Sequence, residues 1–144
     1  MPRDTRPVGT FAFRFEELVA WQKAMDLAVV IYRLASAGPF ARDFAFSHQI
    51  HKSAISISSN IAEGFERNSA PDFRRFLAIA KASCGELRSQ MHLAVRLEYV
   101  SQEQHDEAVS RAEEVSLMIG GLRASLARKL TPKRTFVPRT IRKP

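Results

Sequence analysis

Residues 58–73 read SSNIAEGFERNSAPDF, and this stretch decides the fold because it joins two long helical patterns. The apolar pattern before it ends near Gly64, and a new helix is expected to follow Ser69. Ser69 is a typical N-cap residue, Pro71 is tolerated in a first helical turn, and Asp72 completes a capping-box-like S-x-x-D start. A connection this short predicts that the two helices pack side by side in opposite directions.

Apolar residues recur at alternating spacings of three and four in four segments, which is the period of an amphipathic α-helix. The segments are joined by short connections and cover about residues 15–37, 43–66, 69–98 and 101–127. We therefore predict an all-α protein, an antiparallel up-down-up-down four-helix bundle over residues 15–127. Residues 1–14 are predicted to form a flexible N-terminal arm, and residues 128–144 a disordered, proline-containing basic tail.

The first of these helices is apolar on two nearly opposite sides. One stripe consists of Leu18, Trp21, Met25, Ala28, Tyr32 and Ala35. The other stripe consists of Ala24, Leu27, Ile31 and Leu34. Because one bundle core needs only one apolar face, the helix is expected to lie at the centre of the fold or at a subunit interface. We assign the second stripe to an oligomer interface.

The net charge of +7 is concentrated at the C-terminal end. Residues 1–127 contain 15 basic and 15 acidic residues, whereas the last 17 residues contain seven basic residues and no acidic one. The seven are Arg128, Lys129, Lys133, Arg134, Arg139, Arg142 and Lys143. Basic tails bind polyanions by releasing counterions without reading sequence, so we predict a nucleic-acid-binding arm. A tail that only aids solubility is the alternative.

A second basic feature lies on the third helix. Arg74, Lys81, Arg88 and Arg96 fall with His92 within an arc of about 80°, at 100° per helical residue. Such a ridge is able to follow a nucleic-acid backbone. The alternatives are a solvated face, or an interface where these bases pair with a neighbour's acidic residues. No helix-turn-helix, RNP or zinc-finger pattern predicts base-specific reading.

The polar residues of the corner also allow two interpretations. Asn60 and Glu63 are three residues apart, so they share one helix face near Gly64. They are able to form a polar site with a neighbouring chain or ligand. Because polar helix ends must be satisfied locally in any case, we favour a structural corner in which Ser69 and Asp72 take part.

The sequence gives no indication of an enzyme. No phosphate-binding loop, dinucleotide-binding pattern or nucleophile elbow is present, and the histidines lack a convincing metal-ligand spacing. The single cysteine, Cys84, falls on an apolar helix face and is expected to be buried and inert. No cofactor or metal is therefore predicted. The absence of an 18-residue apolar run and of a signal peptide predicts a cytoplasmic protein with no membrane contact.

These patterns together resemble the four-helix-bundle proteins of the 23S rRNA intervening-sequence family, over about residues 15–127. The most specific part is NIAEGFERNSAPDFRRFL, which resembles the family's N-I-A-E-G, a polar turn and F-x-R-F-L. The matching positions are Asn60, Ile61, Ala62, Glu63, Gly64, Phe73, Arg75, Phe76 and Leu77. Ser58 departs from the proline that many relatives have there.

The resemblance implies a ring-like homopentamer without catalytic residues. Distant relatives are accessory proteins of diversity-generating retroelements, where they bind a reverse transcriptase and nucleic acid. We therefore expect a non-enzymatic, oligomeric module that binds nucleic acid through charge, with RNA as the expected ligand. The alternative is a homo-oligomeric scaffold that recruits a protein partner and binds no nucleic acid.

Overall fold

The computed structural model describes residues 13–130, and all regular structure within that range is helical. A short 3-10 turn at Phe15–Glu17 precedes five α-helices. These are α1 (Val19–Ala35), α2 (Gly38–Arg42), α3 (Phe44–Glu66), α4 (Ala70–Arg96) and α5 (Gln102–Leu130). The prediction of an all-α protein is confirmed. None of the helices in this part of the chain has the length and apolar character needed to cross a membrane.

The four long helices pack antiparallel around one core. On α3 and α4, Ser56 contacts Ser83, and further along α3, Gly64 lies against Phe76, which comes earlier in α4. Contacts between α4 and α5 and between α1 and α3 follow the same opposed order. Helix α1 packs on both α3 and α5, so the helical bundle closes on itself.

The inner face of α1 corrects one prediction. Ala24, Leu27 and Ile31 have at most 1% of their surface exposed within this single chain, and Leu34 packs partly buried against the same core. Residues that are buried inside the chain cannot contact another subunit, so their assignment to an oligomer interface is wrong. They form the α1 side of the bundle core instead.

The outer face of α1 is an apolar surface that stays partly exposed. Val19, Met25, Val29 and Tyr32 keep between 39% and 52% of their surface exposed. Met25 and Tyr32 belong to the stripe that begins at Leu18, opposite the one assigned to an oligomer interface. That stripe is therefore divided between the two sides of the helix, because Ala35 is buried and its remaining members pack partly buried against the core.

Two element boundaries also differ from the prediction. Gly38 and Pro39, which follow the predicted end of the first helix, begin the short helix α2, because proline suits a first helical turn and Gly38 adopts a positive φ of 59°. The helix buries Phe40 completely. At the other end, α5 continues through Arg128 to Leu130, so the first three residues of the predicted tail are helical.

The buried cysteine yields a first testable prediction. Cys84 is fully buried, and burial raises the pKa of its thiol to about 11, against the smaller lowering effect of Lys81 and Arg88. Only about one thiol in a thousand is then ionised at pH 8. We expect a disulfide reagent to label the folded chain very slowly and the chain in guanidinium chloride at once. Rapid, complete labelling of the folded chain would contradict the burial of this residue.

Candidate nucleic-acid interface

The corner between α3 and α4 is built by local backbone geometry. Asn68 adopts a left-handed conformation with a φ of 56°, which asparagine tolerates better than most residues and which ends α3. Ser69 is extended, and its Oγ accepts a hydrogen bond from the Asp72 backbone N–H at 3.3 Å. The Asp72 carboxylate pairs with Arg75 at 3.4 Å instead of returning to the N-cap.

The remaining corner residues bond within their own helix. Asn60 Nδ2 donates to the Ser56 carbonyl at 2.8 Å and lies 3.0 Å from Ser56 Oγ, one turn back in α3. Glu63 pairs with Arg67 at 3.7 Å. Gly64 is buried where α3 and α4 approach each other. This arrangement favours the structural interpretation of Asn60 and Glu63.

The surface along which α4 meets α5, hereafter the seam, contains most of the predicted basic ridge. Lys81 Nζ donates to Ser116 Oγ at 3.0 Å. Arg74 Nε donates to the Arg123 carbonyl at 3.2 Å, and Arg123 Nε donates to the Arg74 carbonyl at 3.2 Å. Arg74 and Lys81 of the ridge are therefore held against α5 of the same chain and do not lie on a free outer face of α4.

The far end of the seam contains a paired histidine. His105 Nε2 lies 3.1 Å from His92 Nδ1, and His105 Nδ1 lies 2.8 Å from Asp106 Oδ1. Hydrogen bonds from His105 and Gln102 lower the pKa of Asp106. No group of three or more potential metal ligands occurs among residues 13–130. These contacts join the two helices next to the α4–α5 loop.

Charge divides the hairpin of α4 and α5 into two halves. The half formed by residues 73–85 of α4 and 115–130 of α5 contains six basic residues and no acidic one. We call it the acid-free half. Its basic residues are Arg74, Arg75, Lys81, Arg123, Arg128 and Lys129. The other half, residues 86–114 with the intervening loop, contains seven acidic and three basic residues.

The bases of the acid-free half that lie in the seam are not neutralised inside the chain. Across residues 13–130, no carboxylate lies within salt-bridge distance of Arg74, Lys81 or Arg123. The nearby carboxylates of Glu63 and Asp72 are paired with Arg67 and Arg75. Arg74 and Arg123 are half-buried and Lys81 is exposed, so these cations keep their field directed towards solvent.

The structure thus brings together only part of the predicted set. Arg74 and Lys81 lie in the acid-free half, whereas Arg88 and Arg96 lie in the half rich in acids. Arg96 occupies the last turn of α4, where a cation complements the helix dipole.

The basic C-terminal residues are described only in part. Arg128 is exposed on α5, and Lys129 continues that helix. The remaining predicted bases, Lys133, Arg134, Arg139, Arg142 and Lys143, lie outside the described residues. Helix α5 ends within the acid-free half, so the chain continues from the most basic part of the α4–α5 hairpin.

Arg123 is a candidate that the sequence reasoning missed. The signal that identifies it is its position in the hairpin of α4 and α5. Arg74 lies as far before the α4–α5 loop as Arg123 lies after it, and antiparallel helices bring such positions together. The same rule pairs Lys81 with Ser116 and is therefore a general guide to this seam.

Comparison with known proteins places this geometry in a family context. A family model described as "23S rRNA-intervening sequence protein" matches residues 16–121, which is more than half of the chain. No curated protein is similar enough in sequence to be matched.

Six chains of solved structures match. One of them is a crystal structure of a protein with unknown function from the S23 ribosomal protein family of Bacteroides thetaiotaomicron. The two chains are 27% identical and superpose with a TM-score of 0.67, covering 72% of this chain and 97% of that chain. The helical fold is thus similar to an experimentally observed one over nearly all of that neighbour.

Proposed function

Because the chain belongs to the family of 23S rRNA-intervening sequence proteins, we propose that it is a non-enzymatic, cytoplasmic protein that binds RNA through charge. The observation that supports this proposal is the acid-free half of the seam. There, Arg74, Lys81 and Arg123 are held by neutral backbone and hydroxyl groups, with no carboxylate partner among the described residues.

The chemistry of these residues fits a phosphate backbone. Arginine and lysine supply most protein contacts to nucleic-acid phosphates, and such contacts position a protein without reading its bases. The described bases line the seam over the first part of α4, from Arg74 to Lys81, a rise of about 10 Å at 1.5 Å per residue. This length spans only a few nucleotides, so the binding of one chain should be weak.

Assembly would compensate for that weakness. We propose that the chain forms a homo-oligomer, a ring-like pentamer as the family resemblance implies, and that its contacts use the outer face of α1. Val19, Met25, Val29 and Tyr32 supply exposed apolar area there. Several weak seams on one particle bind a single RNA with much higher avidity than one seam alone.

The same apolar surface supports the second candidate function, a scaffold that recruits a protein. Val19 also borders a cleft of about 330 Å³ between the start of α1 and α5. Leu18, Met118 and Leu122 line this cleft, and it contains no charged side chain. A cleft of this kind suits an apolar side chain of a partner and offers no cation to a phosphate.

The contribution of the C-terminal bases is tested by truncation after Leu130, which leaves α5 intact. Five basic residues are removed, and we expect the affinity for a short fluorescein-labelled single-stranded RNA to fall by roughly tenfold or more at low salt. Fluorescence anisotropy gives the affinity, and circular dichroism controls for folding. The truncated chain should retain weaker, salt-sensitive binding through the seam.

Three results would change this proposal. Equal affinities of the full and truncated chains would show that the tail does not contribute to binding, and the proposed interface would then consist of the seam alone. Complete loss of RNA binding on truncation would show that the seam does not bind RNA by itself. No binding by either chain would contradict the proposed function and favour the scaffold.

A further inference from the structure

Arg74 and Arg123 are each held by the backbone of the other's helix. Arg74 Nε lies 3.2 Å from the Arg123 carbonyl oxygen, and Arg123 Nε lies 3.2 Å from the Arg74 carbonyl oxygen. Both residues are half-buried. The reciprocal bonds fix two long side chains at one level of the seam, which reduces the conformational entropy that a ligand would otherwise have to remove.

Most of the hydrogen-bonding capacity of this pair is unused. A guanidinium carries five N–H donors, and each arginine uses only its Nε–H. The other donors of both side chains have no partner within residues 13–130. Both side chains are cationic and neither has a carboxylate partner among residues 13–130, so an anion bound between them would be attracted by both.

The shape of the unused donors indicates the anion. A guanidinium presents its donors as a planar fork that matches the oxygens of a phosphate and binds them in a bidentate manner. Lys81 extends the same line of cations one to two turns along α4, and its Nζ is bonded only to a hydroxyl, that of Ser116. The seam therefore offers one two-sided arginine site followed by a point charge.

We propose that Arg74 and Arg123 form a clamp that binds one phosphodiester group of single-stranded RNA from two sides, which makes Arg123 an RNA-binding residue. This inference rests on the proposed function and adds its contact point. The clamp needs both helices in register, so it exists only in the folded hairpin of α4 and α5. It binds the backbone and confers no base preference.

A double-mutant cycle tests the clamp, using the short labelled single-stranded RNA and the full chain. Arg74→Gln and Arg123→Gln should each weaken binding by roughly tenfold. The double variant should fall well short of the hundredfold product, because both residues act on the same phosphate. The slope of log affinity against log salt should flatten by about 0.7 in all three variants, the value for one phosphate on a single strand.

Arg111→Gln is the matched control. Arg111 lies on the same helix as Arg123, and its replacement by glutamine removes the same charge. Its Nε, however, already donates to the Glu107 carboxylate at 3.1 Å. We expect its affinity to change by less than about threefold, as for an exposed ion pair. If Arg123→Gln behaves like Arg111→Gln, or if the double variant reaches the full product, the clamp is wrong.

Arg123→Lys guards against effects on folding or on net charge. Lysine keeps the charge but lacks the planar fork, so we expect it to lose nearly as much affinity as Arg123→Gln while melting like the unchanged chain. Full affinity in Arg123→Lys would show that charge alone matters and would overturn the clamp.

A second probe separates the clamp from the proposed function. Inorganic phosphate should shift the NMR signals of the Arg74 and Arg123 Nε–H groups, whereas sodium chloride at equal ionic strength should not. If the unchanged chain fails to bind RNA but phosphate still shifts both signals, the RNA function is wrong and the anion site stands. If RNA binds and neither signal responds to phosphate, the clamp is wrong and the function stands.

Discussion

Replacing Gly64 by alanine is expected to lower the free energy of unfolding by about 2 kcal/mol, and more if the helices cannot separate. A Cβ at this position would lie 2.6 Å from Phe76 Cβ and 3.1 Å from Phe73 Cδ1. The Phe76 Cβ is attached directly to the α4 backbone, so rotation of a side chain cannot relieve the clash. Helices α3 and α4 would have to move apart at the corner that sets their packing.

The magnitude follows from two opposing effects. Overpacking a tight site costs about 1–3 kcal/mol, and a clash with backbone-fixed atoms belongs at the upper end. Alanine in place of glycine inside a helix returns up to about 1 kcal/mol through helix propensity. Steric cost is therefore expected to dominate, and denaturant unfolding followed by circular dichroism measures the difference.

Gly85→Ala is the matched control for this prediction. Gly85 also lies inside a long helix, but a Cβ there would meet no atom within 4 Å. Only the propensity effect remains, so this variant should gain up to about 1 kcal/mol. Equal stability changes in Gly64→Ala and Gly85→Ala would show that the close approach of α3 and α4 is not needed for the fold.

The second large effect is expected on RNA affinity, when two basic residues of the acid-free half are replaced by glutamate. Arg74→Glu combined with Lys81→Glu should weaken RNA binding by roughly a hundredfold, because each lost bond to a charged group is worth about 1.5 kcal/mol or more. The two new carboxylates also repel the phosphates. Anisotropy with the short labelled RNA measures the loss.

The control reverses two bases of the same helix in the acid-rich half. Arg88→Glu combined with Arg96→Glu changes the net charge by the same amount. These positions lie away from the proposed interface, so their effect on RNA is screened by salt, whose Debye length is about 8–10 Å at physiological ionic strength. We expect a loss of less than about tenfold. Equal losses in the two double variants would show that net charge, and not the acid-free half, determines binding.

Sedimentation of the same variants separates the two candidate functions. The proposed RNA function predicts that Arg74→Glu with Lys81→Glu loses RNA while keeping the oligomeric state of the unchanged chain. Disassembly of the particle would instead place the seam at a subunit interface and favour the scaffold.

Much of the helical architecture could be predicted from local patterns. Ser69 and Ser101 mark where α4 and α5 follow, and the three-four spacing of apolar residues gives the helices their extents. Each signal lies within one turn of the element that it predicts. The short helix α2 could not be predicted, because Gly38 and Pro39 are equally compatible with ending one helix and beginning another.

The inward face of α1 could not be predicted in the same way. Both of its sides are apolar, and only packing on α3 and α5 decides that Leu27 and Ile31 point inward while Met25 and Val29 remain exposed. The candidate site has the same property. Lys81 and Arg74 were found on one helix, but Arg123 becomes their neighbour only through the antiparallel register of the hairpin.

The central claim, that this protein binds RNA through unneutralised cations, is tested most directly by one salt series. The affinity of the full chain for a single-stranded RNA should fall linearly on a double-logarithmic plot, with a slope of about −3 or steeper for four or more phosphate contacts at about 0.7 each. Binding that is independent of salt, or the absence of binding even at low salt, would contradict the account.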